Sequence, residues 1–222
     1  MENNSEKTEL SAILYLAVTS GKAERISEIL AQGADPNIPD IWGRVPLIKA
    51  VSDWNTEAIR LLLEAGADPN IKNKWGDTAL TTAAVRTCAE TVKMLLDAGA
   101  DITAANRSGI SALIYAAKRG DSGSVNLLLE RGADPNAVSQ NGWTAMHAAA
   151  WNGNTECISL LIAAGCDFFT KDKTGTMPGE LFSNRYPYRS DELGILTERA
   201  FKSKRLRFED TKTVSGTGYE FD

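Results

Sequence analysis

Glycine recurs through this 222-residue chain with a period of 33 residues, and this spacing limits the possible folds more than any other feature. One glycine register opens a repeated phrase, which reads GADPN at Gly33, Gly66 and Gly132, GADIT at Gly99 and GCDFF at Gly165. A second register follows ten residues later, at Gly43, Gly76, Gly109, Gly142 and Gly175. A fixed period of about 20–50 residues indicates an array of stacked units rather than one globular core.

Each unit contains the patterns of two helices. In the unit from Val45 to Asn70, Pro46 suits the first turn of a short helix, where a proline loses no intrahelical hydrogen bond. Ile59, Leu62 and Leu63 follow at helical spacing and form one apolar stripe, which predicts a second helix. The glycine of the first register then ends that helix, because glycine adopts the left-handed conformation without a Cβ clash.

A single helix pair cannot bury its own apolar face, whereas stacked pairs can. The period, the two glycine registers and the repeated phrase resemble the ankyrin repeat, whose motif is T-P-L-H-x-A, then a second helix, then G-A-D-x-N. The resemblance covers about residues 5–205. It implies an all-α solenoid of about six helix pairs with finger-like hairpin turns along one edge. It also implies that partners bind on the concave surface formed by the fingers and the first helices.

We expect one domain over residues 1–205 and a tail at 206–222, which has no helical periodicity. The six expected units, called repeats one to six below, span about 7–39, 40–72, 73–105, 106–138, 139–171 and 172–203. Leu10 replaces the turn glycine of repeat one, and MPGELFSN from Met177 takes the place of the first-helix motif in repeat six. Terminal repeats face water on one side, so atypical ends are expected.

Repeats two and three depart from the family pattern at a third position. Repeats one, four and five carry Gly21, Gly120 and Gly153 between their two helices, whereas repeats two and three carry Trp54 and Thr87. A non-glycine residue in the left-handed conformation costs about 1 kcal/mol or more, so either the turn is rebuilt or the strain is offset.

Composition narrows the class of protein. The net charge is −5, which argues against a general nucleic-acid binder. No run of about 18 apolar residues is present, and the polar start MENNSEKTEL is unlike a signal peptide. We therefore expect a protein without a membrane span, located in the cytoplasm. A nuclear location is the alternative in a eukaryote, and secretion as an effector is left open. The basic run Ser203–Arg207 is either a nuclear localisation patch or, as we favour, the solvated end of a helix.

The sequence offers little that could perform catalysis. His147 is the only histidine, and the resemblance places it at the family's structural histidine, which bonds to backbone between repeats. The aspartates two positions after the first-register glycines (Asp35, Asp68, Asp101, Asp134 and Asp167) are interpreted as turn residues. Cys88, Cys157 and Cys166 are interpreted as small core residues. We predict a protein that is not an enzyme and has no cofactor or metal site.

The resemblance implies that variable positions carry the binding surface, beside the turn glycines and at the ends of the first helices. Four of the five tryptophans occupy such positions: Trp42, Trp75, Trp143 and Trp151. Trp42 and Trp75 are 33 residues apart, so we expect them side by side on adjacent fingers and partly exposed. Exposed tryptophan is uncommon and is enriched at interface hot spots. The alternative is that each ring packs on a neighbouring finger or on an arginine.

These positions also carry more cations than anions. Seven are basic (Arg44, Lys74, Arg86, Arg107, Lys118, Arg119 and Lys173) and two are acidic (Asp53 and Asp77). We therefore expect a protein partner with an acidic or mixed acidic and apolar surface; the alternative is that the charges only keep the solenoid solvated. The predicted partner-binding residues are Trp42, Arg44, Trp75, Arg86, Arg107, Tyr115, Lys118, Arg119, Trp143 and Trp151.

The sequence thus favours a non-catalytic protein-interaction module that is monomeric on its own. The first alternative is a dedicated inhibitor or immunity-type protein that blocks an enzyme or a toxin. An enzyme with an unrecognised site and a binder of single-stranded nucleic acid are weaker alternatives.

Overall fold

The computed structural model describes residues 4–189, 191–192, 194–196, 198 and 202. Within these residues it contains eleven α-helices and one 3₁₀ turn but no strand, so the predicted all-α class is confirmed. The helices are α1 (Asn4–Ser20), α2 (Ala23–Ala31), α3 (Pro46–Ser52), α4 (Thr56–Glu64), α5 (Ala79–Arg86), α6 (Ala89–Asp97), α7 (Ala112–Arg119), α8 (Ser122–Glu130), α9 (Ala145–Trp151), α10 (Thr155–Ala163) and α11 (Pro178–Arg185). The 3₁₀ turn is Pro187–Arg189. The predicted tail at 206–222 and the basic run Ser203–Arg207 lie outside the described residues.

The helices stack in pairs to form the predicted solenoid. Each odd-numbered helix from α1 to α9 packs on the even-numbered helix that follows it and on the next odd-numbered helix. Alanine makes this close approach possible in the first helices: Ala83, Ala84, Ala116, Ala117, Ala148 and Ala149 have no exposed surface. The second helices bury one stripe, as Ile59 and Leu62 do in α4, and turn ion pairs such as Arg60–Glu64 outward. In repeat six the divergent segment still forms a first helix, α11.

Residues in the left-handed backbone conformation end the helices and form the turns of the fingers. Both glycine registers have positive φ throughout, from 71° at Gly43 to 95° at Gly165. Trp54 and Thr87 also adopt positive φ, at 61° and 59°, and they are the only non-glycine residues to do so in the described part of the chain. The turns of repeats two and three are therefore not rebuilt, and the left-handed geometry of the family is kept with side chains that disfavour it.

The finger tips are stabilised by side-chain hydrogen bonds from one periodic position, which the sequence analysis did not identify. A side-chain oxygen at the start of each tip accepts backbone N–H groups further along the turn, as Asp40 does from Trp42 and Arg44, and Asn73 from Trp75 and Asp77. The residues at this position are Asp40, Asn73, Asn106, Ser139 and Asp172. They are spaced 33 residues apart, and this spacing of short polar residues could have revealed the position from the sequence. Short polar side chains favour such turns because they bond to their own backbone.

Candidate protein-interaction surface

A concavity of the solenoid lies between repeats two and three. This cavity, called the finger pocket below, has a volume of about 540 Å³ and is lined by the fingers of both repeats and by α3 and α5. Trp42 and Trp75 stand on the two fingers, while Tyr15 of α1 and Tyr115 of α7 contribute from the outer repeats. The remaining apolar lining comes from Val45, Ile48 and Val85. A cavity of this size and aromatic character is typical of binding sites.

The two finger tryptophans are partly exposed and line the same pocket. The exposed fraction is 62% for Trp42 and 59% for Trp75. Each ring contacts a cation of its own finger: the Arg44 guanidinium carbon lies 4.4 Å from the Trp42 ring centre, and Lys74 Nζ lies 4.5 Å from that of Trp75. These cation contacts leave more than half of each indole side chain exposed. Both indoles thus remain available for a partner.

Arg44 positions Trp42 rather than offering a free charge. Its guanidinium lies between the rings of Tyr15 (4.1 Å) and Trp42, and it forms an ion pair with Asp40. Burial opposes ionisation of Asp40, but its hydrogen bonds from Arg44 and from the backbone N–H of Trp42 prevail and lower its pKa. Sequence reasoning named Arg44 without Asp40, although a carboxylate four residues away was the visible signal.

The other charges of the pocket are arranged unevenly. Lys49 and Asp53 form an ion pair at the end of α3. Arg86, at the end of α5, is exposed and makes no ion pair with any described residue. Near the finger, Asp77 accepts a hydrogen bond from Asn106 Nδ2, which also donates to the Tyr115 hydroxyl. Burial raises the pKa of Tyr115, and the nearby Asp77 carboxylate acts in the same direction. Tyr115 is therefore a neutral, fixed wall of the pocket.

Three predicted cations lie on repeat four. Arg119 reaches back across the repeat boundary, where its Nε donates to the Val85 carbonyl at 2.9 Å. Arg107 and Lys118 are exposed, and neither forms an ion pair within the described residues. Lys118 lines a smaller cavity of about 210 Å³ between repeats four and five. The structure therefore brings Trp42, Trp75, Arg44, Arg86 and Tyr115 together in one pocket, whereas the three repeat-four cations do not line it.

The remaining two predicted residues, Trp143 and Trp151, lie in repeat five and are more constrained. Trp143 Nε1 donates to Asp172 Oδ2 of the next finger at 3.0 Å, and its ring stacks on His147 with centres 6.3 Å apart. Trp151 lies 6.1 Å from Trp143, is covered by the Arg185 guanidinium at 4.6 Å, and has an exposed fraction of 38%. These two rings therefore pack on a neighbouring finger or on an arginine, which was the alternative considered in the sequence analysis.

The single histidine is a structural residue. His147 is fully buried; its Nδ1 accepts from the Thr144 backbone N–H at 3.2 Å, and its Nε2 donates to the Thr176 carbonyl of the next repeat at 3.2 Å. Burial lowers its pKa, so the ring is neutral near pH 7.

The aspartates and cysteines also have scaffold positions. Asp35 Oδ1 accepts the Asn37 backbone N–H, and the aspartates at the same position of the next four repeats each accept a backbone N–H in the same way. Cys157 and Cys166 are buried, and burial raises the pKa of Cys157 to about 11. No group of three metal-ligating side chains occurs among the residues that the structure describes.

Comparison with known proteins decides the family. A family profile for ankyrin repeats in three copies matches residues 14–106 and 103–172, which is more than half of the chain. The chain is an ankyrin-repeat protein. Its structure is similar to the crystal structure of an ankyrin repeat domain from Acinetobacter baumannii AYE, with a TM-score of 0.78 and 32% sequence identity over 84% of this chain and 96% of that one. No curated protein matches the chain.

Membership of the ankyrin-repeat family indicates a general kind of function. Ankyrin repeats are generally protein–protein interaction modules, and their fold is typically non-catalytic. Across the described residues, every helix is too short or too polar to cross a bilayer.

Proposed function

We propose that this ankyrin-repeat protein binds a partner protein, without catalysis, on the concave surface of repeats two to four. The observation that carries the proposal is the pair of exposed indoles, Trp42 and Trp75, on either side of one 540 Å³ pocket. An exposed tryptophan leaves a large apolar area in water, and covering two of them stabilises a complex substantially. Tryptophan and arginine are also the residues most enriched at interface hot spots.

The charge of this surface supports an acidic or mixed acidic and apolar partner. Arg86, Arg107 and Lys118 are exposed and form no ion pair with the described residues. They lie on repeats three and four, and Arg86 lines the same pocket as the exposed indoles, although the chain as a whole carries a net charge of −5. Complementary charge speeds encounter and fixes the orientation of a complex, so an acidic partner surface fits this strip.

The test is affinity capture from the source cell followed by measurement of each captured protein's affinity. The double variant Trp42→Ala plus Trp75→Ala should weaken binding at least about 30-fold, which corresponds to about 2 kcal/mol. Trp54→Gly is the matched control, because Trp54 is equally exposed (61%) but does not line the pocket, and glycine suits its left-handed backbone.

Three outcomes of this test are informative. A partner that loses affinity for the double variant and keeps it for Trp54→Gly supports the proposal. Equal affinity for the folded double variant and the unmodified chain would place the interface elsewhere. Tight, steeply salt-dependent binding of a short single-stranded oligonucleotide to the same surface would replace the protein partner by nucleic acid.

A further inference from the structure

We infer that the finger pocket takes an extended partner segment that carries an apolar anchor side chain and, about four residues away, a carboxylate. The anchor lies between Trp42 and Trp75, and the carboxylate pairs with Arg86. This inference rests on the proposed function and specifies the chemistry that the same surface recognises.

The apolar half of the pocket lies at the fingers. Two indoles line it, Tyr15 of repeat one and Tyr115 of repeat four add two more rings, and Val45 lines it with almost no exposed surface. Trp42 is held in place by the Arg44 guanidinium, which is itself fixed by the buried Asp40 carboxylate. Because this wall is already ordered, an aromatic or long aliphatic side chain binds there with little further loss of conformational entropy.

The basic residues of the pocket lining differ in whether an acidic side chain compensates them. At the fingers, Arg44 is paired with Asp40, and the Lys74 cation lies on the same finger as the Asp77 carboxylate. At the end of α3, Lys49 is paired with Asp53. Lys74 and Arg86 form no ion pair within the described residues, but Lys74 lies three positions from the Asp77 carboxylate on one finger, whereas Arg86 is the last residue of α5. A partner carboxylate is therefore favoured at Arg86 and disfavoured near Asp77, which gives the bound segment a direction.

The spacing follows from the length of α5. Trp75 precedes this helix and Arg86 is its last residue, and the helix has eight residues. At 1.5 Å per residue it is about 12 Å long. An extended chain advances about 3.3 Å per residue, so about four residues span the length of α5, from the finger side to Arg86.

Phage-displayed random 12-residue peptides, selected on the full chain, test this inference. The expected peptides carry Asp or Glu about four residues from an aromatic or long aliphatic residue. Their synthetic versions should bind the Trp42→Ala plus Trp75→Ala variant at least about 30-fold more weakly, and Arg86→Gln about 10-fold more weakly. Selection on Arg86→Glu should replace the acidic position by Lys or Arg, whereas Trp54→Gly should select the original peptides.

The outcomes separate this inference from the proposed function. Peptides that need both tryptophans but show no acidic position, or ignore Arg86→Glu, would overturn the inference and leave the concave surface in place. A failure to select any peptide would also overturn it, while capture of the partner protein decides the proposed function separately. Peptides that bind equally well without the tryptophans would count against both.

Discussion

Repeats two and three differ from repeat five in how they use tryptophan. Trp42 and Trp75 come one residue before the turn glycine, and their rings lie on the fingers with about three fifths of their surface exposed. Trp143 comes one residue after the glycine, and its ring is held by Asp172 of the next finger and by His147 below it. A shift of two residues along the same turn therefore converts an accessible ring into a scaffold residue.

The same repeats also differ at the turn between their helices. In repeats four and five the left-handed residue is glycine, and neighbouring groups occupy the space of a side chain. A Cβ at Gly120 would lie 2.8 Å from Asn154 Oδ1, and one at Gly153 would lie 2.7 Å from an Arg189 nitrogen. In repeats two and three Trp54 and Thr87 occupy this position and are exposed. Repeats two and three thus present side chains at a position where repeats four and five pack against neighbouring groups.

The largest predicted effect separates the two kinds of tryptophan by stability. Trp143→Ala should reduce the free energy of unfolding by about 2–3 kcal/mol, because it removes the bond to Asp172 and the contacts with His147 and Trp151. Trp42→Ala and Trp75→Ala should each cost less than about 1 kcal/mol, as expected for exposed side chains. Urea unfolding followed by circular dichroism measures all three. Equal losses for the three variants would show that the exposed rings also support the fold.

A second prediction concerns how pH affects stability through His147, the buried histidine of repeat five. The pKa of His147 is below its ordinary value of 6.5 in the folded chain, so the unfolded chain binds a proton that the native chain does not. Stability therefore decreases as the pH falls below about 6.5, by at most about 1.4 kcal/mol per pH unit. The effect ends at the lowered pKa of the folded state.

The control for this pH effect comes from repeat three. Thr81 occupies the position of His147 there, and its hydroxyl accepts the Thr78 backbone N–H at 2.9 Å. His147→Thr should be less stable than the unmodified chain at pH 7 but should lose most of the slope between pH 7 and pH 5. An unchanged slope in thermal melts of this variant would assign the pH dependence to other groups.

The repetition of the sequence explains why its fold could be predicted. Glycine spacing predicted the helix ends, and the hydroxyls of Thr78, Ser111 and Thr144 cap α5, α7 and α9 from one shared register. These features are local and occur in several repeats, so the prediction does not depend on a chance match in any single repeat. Positions that follow the period could therefore be predicted with their neighbours.

The candidate site was harder to predict because its contacts cross repeat boundaries. The bond from Trp143 joins residues 29 positions apart, and the bond from Arg119 to the Val85 carbonyl joins residues 34 apart. Neither pairing follows from the repeat, since Trp143 and Arg119 themselves occupy variable positions. The sequence therefore indicated which side chains are unusual for the scaffold, but it did not distinguish the accessible ones from those fixed by the next finger.

The smallest predicted effect tests the turns of repeats two and three. The left-handed conformation costs a non-glycine residue about 1–2 kcal/mol, whereas the extra freedom of glycine in the unfolded chain offsets about 0.5–1 kcal/mol of any gain. Trp54→Gly and Thr87→Gly should therefore each raise the free energy of unfolding by about 0.5–1 kcal/mol. Gly120→Ala and Gly153→Ala should lower it, because a side chain there meets both the strained backbone and the close contacts of Asn154 and Arg189. Urea unfolding of the four variants gives the comparison directly. If Trp54→Gly lowered stability, the exposed indole would have to contribute more through its contacts than its backbone strain costs, and Trp54 would then cease to be a neutral control for the partner-binding experiments.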